Sequence, residues 1–178
     1  MKQLLFAICC IFCQCSPSPR ISSQLAPGAD FSRYKTFDFY QLDASGDTLS
    51  TKFSSRTKSM EYAIEQEMKA KGYTRTNDNP DLLINIGIVV EEKTQTRQTD
   101  FRTDAPRYIG QRNYSWKSEE VPVGTYRQGT VTVDLVDRKT NQRVWDGVAR
   151  EIIPGRDERV EKAIATGVNL LLKDVPAK

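Results

Sequence analysis

Between residues 82 and 90 every second position is strongly apolar: Leu82, Ile84, Ile86, Ile88 and Val90. Successive side chains of a strand point to opposite faces, so this period of two predicts a β-strand whose even face joins the core. The other set, Leu83, Asn85, Gly87 and Val89, is mixed in character. Residues 34–40 repeat the alternation with aromatics and predict the first strand. From Phe53 the period changes. Phe53, Met60, Ile64 and Met68 follow one another at spacings of 7, 4 and 4, with Lys58, Glu61, Glu65 and Lys69 off that line. This is one stripe of an amphipathic helix, and Gly72, after Lys69 and Lys71, is its stop signal.

Residues 73–76 suit a short strand, followed by a turn at 77–80 around Pro80. Residues 121–136 form another strand, cleanest at Val131, Val133 and Leu135, with Gly124 and Gly129 as bulge sites. A polar turn at 137–142 returns the chain as a hairpin partner over 144–152, which Pro154-Gly155 ends. Asp157 then caps a final helix with Val160, Ile164, Val168 and Leu171 on its stripe, widened by Ala163, Gly167 and Leu170. Residues 91–120 are polar and admit two readings: a long loop, or a strand extension returning through a wide turn. The order predicts an α+β fold: a two-layer sandwich, with a mainly antiparallel sheet and two helices packed on one face.

The amino terminus has a different character. Lys2 precedes an apolar and cysteine run over residues 4–12, too short for a bilayer-spanning helix of roughly 20 residues but suited to a signal peptide. After Cys15 the sequence turns to Ser16-Pro17-Ser18-Pro19-Arg20. This resembles a bacterial lipoprotein signal: cleavage after residue 14 leaves Cys15 first, where its thiol takes a diacylglyceryl group and the new amine an acyl chain such as palmitate. The residues before it, Phe12-Cys13-Gln14, depart from the usual small-residue box; Cys9, Cys10 and Cys13 are the competing sites, and the alternative to lipidation is an ordinary signal peptide cleaved elsewhere or an uncleaved interfacial anchor. The expected organisation is a signal peptide at 1–14, a lipidated flexible tether at 15–30 and a single α+β domain at 31–176. By similarity to lipoprotein sorting rules, the anchor lies in the outer membrane with the domain facing the periplasm.

Composition narrows the chemistry. All four cysteines lie within the first fifteen residues and the chain has no histidine. The folded part therefore lacks disulfides, the Cys and His ligands of zinc and copper sites, and the Ser-His-Asp or Cys-His machinery of nucleophilic catalysis. A net charge of +3, with 26 basic and 23 acidic residues interspersed, argues against a nucleic-acid partner.

Several motifs occur in a fixed order. Asp30-Phe31-Ser32-Arg33-Tyr34-Lys35-Thr36-Phe37-Asp38-Phe39 opens the domain, and the first helix ends in Lys71-Gly72-Tyr73. Pro80-Asp81-Leu82-Leu83-Ile84 follows, then residues 129–137 and Val144-Trp145-Asp146-Gly147. Taken together, over residues 30–175, they resemble the bacterial lipoprotein family catalogued as domain of unknown function 4136. The resemblance implies a lipidated envelope protein, which agrees with the separate reading of Cys15. It implies no catalytic residue, because the family has no established activity. Residues 91–120 depart from the family by being poorer in Gly and Tyr.

Four groups of side chains are candidates for function. Asp134, Asp137 and Asp146 surround the hairpin, but Asp134 lies opposite the apolar face and Asp137 suits a turn. Glu91-Glu92 and Glu119-Glu120 would form acidic pairs for a divalent cation if they faced each other. Trp145 and Val144 point to opposite faces of a regular strand, so one packs under the helices and the other lies outside. Arg97, Arg102, Arg107 and Arg112 recur with Phe101, Tyr108, Tyr114 and Trp116 as a basic and aromatic surface. Of these, Arg107, Tyr108, Tyr114 and Trp116 are the candidate partner-binding residues.

The leading expectation is a non-enzymatic, membrane-anchored module without cofactor or metal, binding another envelope protein or a glycan through the tether and residues 91–128. The alternatives are a carboxylate-dependent glycan hydrolase and a structural subunit of an envelope complex. Two carboxylates roughly 5–9 Å apart in one cleft would favour the hydrolase. An uncovered sheet edge or flat apolar patch would favour binding.

Overall fold

A computed structural model describes residues 19–46, 51–104 and 117–178, the side chains of 51 and 52 excepted. In chain order the elements are β1 (Arg20–Leu25), a 3₁₀ turn (Phe31–Arg33), β2 (Thr36–Gly46), α1 (Thr51–Ala70) and β3 (Thr74–Arg75). Then come β4 (Leu82–Gln98), α2 (Phe101–Asp104), β5 (Glu120–Asp137), β6 (Gln142–Ile152), α3 (Asp157–Leu171) and a closing 3₁₀ turn (Leu172–Asp174). The strands make one six-stranded sheet in the order β1-β6-β5-β4-β2-β3.

The α+β class holds, but the expected mainly antiparallel sheet with two helices is corrected. β1, β6, β5 and β4 pair antiparallel, whereas β4 pairs parallel with β2, and β2 with β3. A parallel neighbour needs a crossover that carries the chain back to the same end, and α1 supplies it between β2 and β4. The sheet is therefore mixed, and the short α2 adds a third helix.

α1 ends as its sequence predicts. Gly72 adopts φ 91°, donating to the Lys69 carbonyl at 2.9 Å while the Tyr73 N–H reaches Met68 at 3.0 Å. These two bonds are a Schellman cap, which requires the left-handed conformation that glycine takes without strain. Met60, Ile64 and Met68 are buried, with Phe53 partly so.

The helix-facing side of the sheet is set by the register. Leu82, Ile84, Ile86 and Ile88 of β4 are all buried, and Ile84, Ile86 and Ile88 lie opposite Leu135, Val133 and Val131 of β5. Leu135, Val133 and Val131 in turn oppose Trp145, Gly147 and Ala149 of β6. Val168 and Leu171 of α3 close this core beside α1.

Three local expectations change. The segment read as a flexible tether contains β1, an edge strand on β6. Its one apolar inward residue, Ile21, packs on the core, and Ser23 Oγ donates to Asp174 at 2.8 Å. So short a pattern carries no alternation signal. At α3 the cap residue is Arg156, with no side-chain cap bond. Asp157 sits in the first turn and pairs with Arg56 at 2.8 Å. Finally, Val144 and Trp145 are both buried. The register shifts between Leu135 and Val136, placing Trp145 opposite Leu135 and Arg143 opposite Val136, so strict alternation fails at Val144.

Candidate functional sites

The motif residues hold the fold together. Asp30 caps the first 3₁₀ turn through the Ser32 N–H at 3.0 Å. Asp81 Oδ2 accepts from the backbone of Lys35 (2.8 Å) and Thr36 (3.1 Å), and from the Thr36 hydroxyl (3.1 Å). Asp137 is the one buried charged residue among those described. Its carboxylate accepts from Arg33 (2.7 Å) and the Tyr34 hydroxyl (2.9 Å), and from the Lys139 (2.8 Å) and Thr140 (3.1 Å) N–H groups. Burial alone would raise its pKa, but the N–H of Thr140, the Tyr34 hydroxyl, Lys139 and Arg33 outweigh it and hold the pKa below the ordinary Asp value. This is a clamp joining the β5–β6 turn to the start of the domain.

Asp134 and Asp146 are Cα partners across β5 and β6, on the side away from the helices. The Arg143 guanidinium lies 3.6 Å from Asp134 and 3.5 Å from Asp146. Burial raises the Asp134 pKa, Arg143 opposes this, and the neighbouring Asp146 charge adds to it. Asp134 Oδ1 and Asn85 Oδ1, opposite one another on β5 and β4, are buried without hydrogen-bond partners. Rotating the Asn85 amide would let its N–H₂ face this carboxylate.

The acidic pairs do not meet. Glu91 lies opposite Gln128, Glu92 opposite Arg127 and Glu120 opposite Gln98. Glu91 pairs with Lys93 at 2.9 Å, and Glu120 accepts from the Thr96 hydroxyl. Among the described residues no three metal-ligating side chains gather. Arg97 forms a fork with Asp104, which holds the Asp104 carboxyl well below the usual range, while Phe101 is exposed. Cys15, Arg107, Tyr108, Arg112, Tyr114 and Trp116 lie outside the described residues.

Two features stand out that no single motif announced. The first is a ribbon. β2 pairs with β4 as far as Val90, and β6 with β5 as far as Gln128. Beyond those points residues 91–98 and 120–127 have only each other as strand partners among the described residues, the Arg127 carbonyl also accepting the Ile153 N–H at 2.8 Å. The ribbon runs roughly 25 Å at about 3.4 Å per residue, mostly exposed, with α2 past its β4 end. Of the two readings of residues 91–120, the strand extension is the observed one over 91–98.

The second is an apolar cleft of about 130 Å³ between α1 and α3, over β4, β5 and β6. Its floor includes Ile88, Val90, Val131 and Ala149, and its walls Phe53, Met60, Ile164 and Val168. The space exists because Gly129, Ala149, Ala163 and Gly167 present little or no side chain there. Asp134, Asp137 and Asp146 are not in its lining.

The fold and these sites define a small α+β domain with a mixed sheet, structural carboxylates, a protruding two-stranded ribbon and an apolar cleft. The chain belongs to the family described as domain of unknown function (DUF4136), whose model matches residues 21–177. Among solved structures it is similar to a DUF4136 family protein from Bacteroides thetaiotaomicron, at 15% identity and TM-score 0.50, over 87% of this chain and 96% of that one. It is also similar to the PelC dodecamer from Paraburkholderia phytofirmans, at 12% identity and TM-score 0.51, over 90% and 99% of the two chains. A PDZ domain protein from Parabacteroides distasonis matches at 18% identity and TM-score 0.56 over 89% of this chain, which spans 35% of that protein. At these identities the likeness is one of fold. No curated protein matches the sequence.

Proposed function

We propose that the chain is a lipid-anchored protein of the bacterial envelope whose domain is a non-enzymatic binding module, held by Cys15 in the outer membrane and facing the periplasm. The ribbon carries this reading. An isolated two-stranded hairpin is marginal in water, and its free edges present unpaired N–H and C=O groups ready to pair with another chain. Residues 91–98 and 120–127 have no strand neighbour besides each other among the described residues. The partner-binding role of Arg107, Tyr108, Tyr114 and Trp116 belongs to the same reading, since they lie between the two strands of the ribbon in sequence.

The dodecameric neighbour favours a second reading, in which the partner is a further copy of this chain and the domain is a subunit of an envelope assembly. In-cell crosslinking of the full chain from photoreactive residues at positions 95 and 123, both on the ribbon, separates the two. A specific crosslink to a different envelope protein supports the first, and a ladder of self-adducts the second. Absence of both, together with measured hydrolysis of an envelope glycan, would overturn them in favour of the carboxylate hydrolase. The anchor has its own test: Cys15→Ala should abolish incorporation of labelled palmitate and release the protein from the membrane fraction.

A further inference from the structure

The cleft between α1 and α3 is lined mostly by carbon, and one carboxylate interrupts it. Glu151 stands opposite Gly129 on β5, two residues along from Ala149 and therefore on the same helix-facing side. It is half-buried, its pKa is raised by that burial, and among the described residues its carboxylate has no hydrogen-bond or ion-pair partner. Two arginines also line the cleft, but both are occupied: Arg56 pairs with Asp157 at 2.8 Å, and Arg127 already has an interaction of its own. Removing a carboxylate from water without a counter-charge is costly, and a cation brought by a ligand would offset that cost. The cleft volume of about 130 Å³ is close to what an aromatic ring needs, and an amine chain extends towards Glu151 at the cleft's edge. An apolar protein cavity of roughly 150 Å³ accommodates benzene, and a Cβ built on Gly167 meets nothing within 4 Å.

We propose that this cleft binds a small amphiphilic amine: an aromatic ring or short alkyl chain lies between Met60, Val131, Ile164 and Val168, and its ammonium group pairs with Glu151. An anionic amphiphile of the same size would set carboxylate against carboxylate. A neutral one would leave Glu151 without a counter-charge. The site is separate from the ribbon, so the inference does not depend on what the ribbon binds.

The test uses the full chain in phospholipid nanodiscs, titrated calorimetrically at pH 7.5 with phenethylamine and with its anionic counterpart phenylacetate. Empty nanodiscs provide the correction for partitioning into lipid. Phenethylamine should bind saturably, one per chain, and at least roughly tenfold tighter than phenylacetate. Glu151→Gln should bring the two ligands to within about threefold of each other. Gly167→Leu, which fills the cleft without touching the carboxylate, should abolish binding of both while the circular dichroism melt stays cooperative. If that variant fails to fold, Ala163→Leu fills the same space from the neighbouring turn. Equal affinity for the two ligands, uptake that never saturates, or binding unchanged in the cleft-filling variants would each overturn the proposal.

Discussion

The Trp145 indole lies over Gly147, two residues along β6 on the same face of the sheet. A Cβ at position 147 would come within 2.4 Å of Trp145 Cη2 and 2.8 Å of Leu171 Cδ1. Trp145 is fully buried, and its Nε1 lacks a hydrogen-bond partner. The ring therefore contributes through packing, and the absent side chain at 147 is what admits it. Gly147→Ala should cost about 1–3 kcal/mol, the usual range for overpacking a filled core. Trp145→Ala should cost about 3–5 kcal/mol. Because the two share one space, Trp145→Phe should relieve part of the Gly147→Ala penalty, giving a coupling of about 0.5 kcal/mol or more. Urea unfolding of the four variants followed by circular dichroism measures all three quantities.

Asp137 gives the domain an acid-sensitive joint. Its pKa is lowered in the folded state, so its contribution is complete above the unfolded Asp value of about 3.9. That contribution is lost as pH falls through the lower folded value. Asp137→Asn should lose stability at pH 7, by about 2–3 kcal/mol for charge-assisted bonds to Tyr34, Arg33 and two backbone N–H groups. It should also flatten the fall in stability below pH 4. Denaturant midpoints at pH 7, 4 and 3 for wild type and variant distinguish this from a general loss of folding: a parallel offset at every pH would contradict the assignment.

These joints explain why the motifs were legible while their chemistry was not. Asp30, Asp81 and Asp137 recur in the pattern because each satisfies backbone or hydroxyl donors at a chain reversal, which is a structural requirement readable as spacing. The core stripes of α1 and α3 and the even face of β4 followed directly from periodicity. The parallel half of the sheet was also implicit, since a strand, a helix and a strand in succession suit a parallel pair, but pattern alone does not say which strands become neighbours. β1 was hidden because an edge strand needs only one inward apolar residue, Ile21. The cleft left a fainter trace: Ala163 and Gly167 looked like a wider apolar stripe, and Gly129 like a bulge, yet small residues on three elements make a space only once the fold superimposes them. Trp145 escaped strict alternation because the register shift beside Val136 is a property of the pair of strands.

Glu151 predicts the opposite pH sign from Asp137. Its pKa is raised by burial, so the folded state holds the neutral carboxyl more readily than the unfolded chain does. Stability associated with this group is greatest below the unfolded Glu value of about 4.3 and declines as pH rises through the raised folded value. Between pH 7 and 4 the wild type should therefore gain more in Tm than Glu151→Gln does, and the variant should melt higher than wild type at pH 7. Thermal melts of both proteins at the two pH values check this. An unchanged difference between them at both values would mean that Glu151 is fully solvated.

The ribbon allows a separation of folding from association. Residues 91–98 and 120–127 bury little, and the core positions of β4 and β5 all lie at or beyond Val90 and Gln128 on the body side. Glu92 and Arg127 are Cα partners, so replacing residues 93–126 by Asn-Gly would close them with a two-residue hairpin turn whose twist suits the flanking strands. Arg127 is retained because its carbonyl accepts the Ile153 N–H at 2.8 Å. The shortened protein should keep its cooperative melt, with a change in stability of no more than about 1 kcal/mol, since exposed segments away from the core contribute little. In cells treated with an amine-reactive crosslinker, it should at the same time lose the specific adducts, to another envelope protein or to itself, that the full chain gives. Loss of the fold along with the crosslinks would make the ribbon part of the folding unit. Retention of the crosslinks by a folded, shortened protein would move the contact surface to the body of the domain.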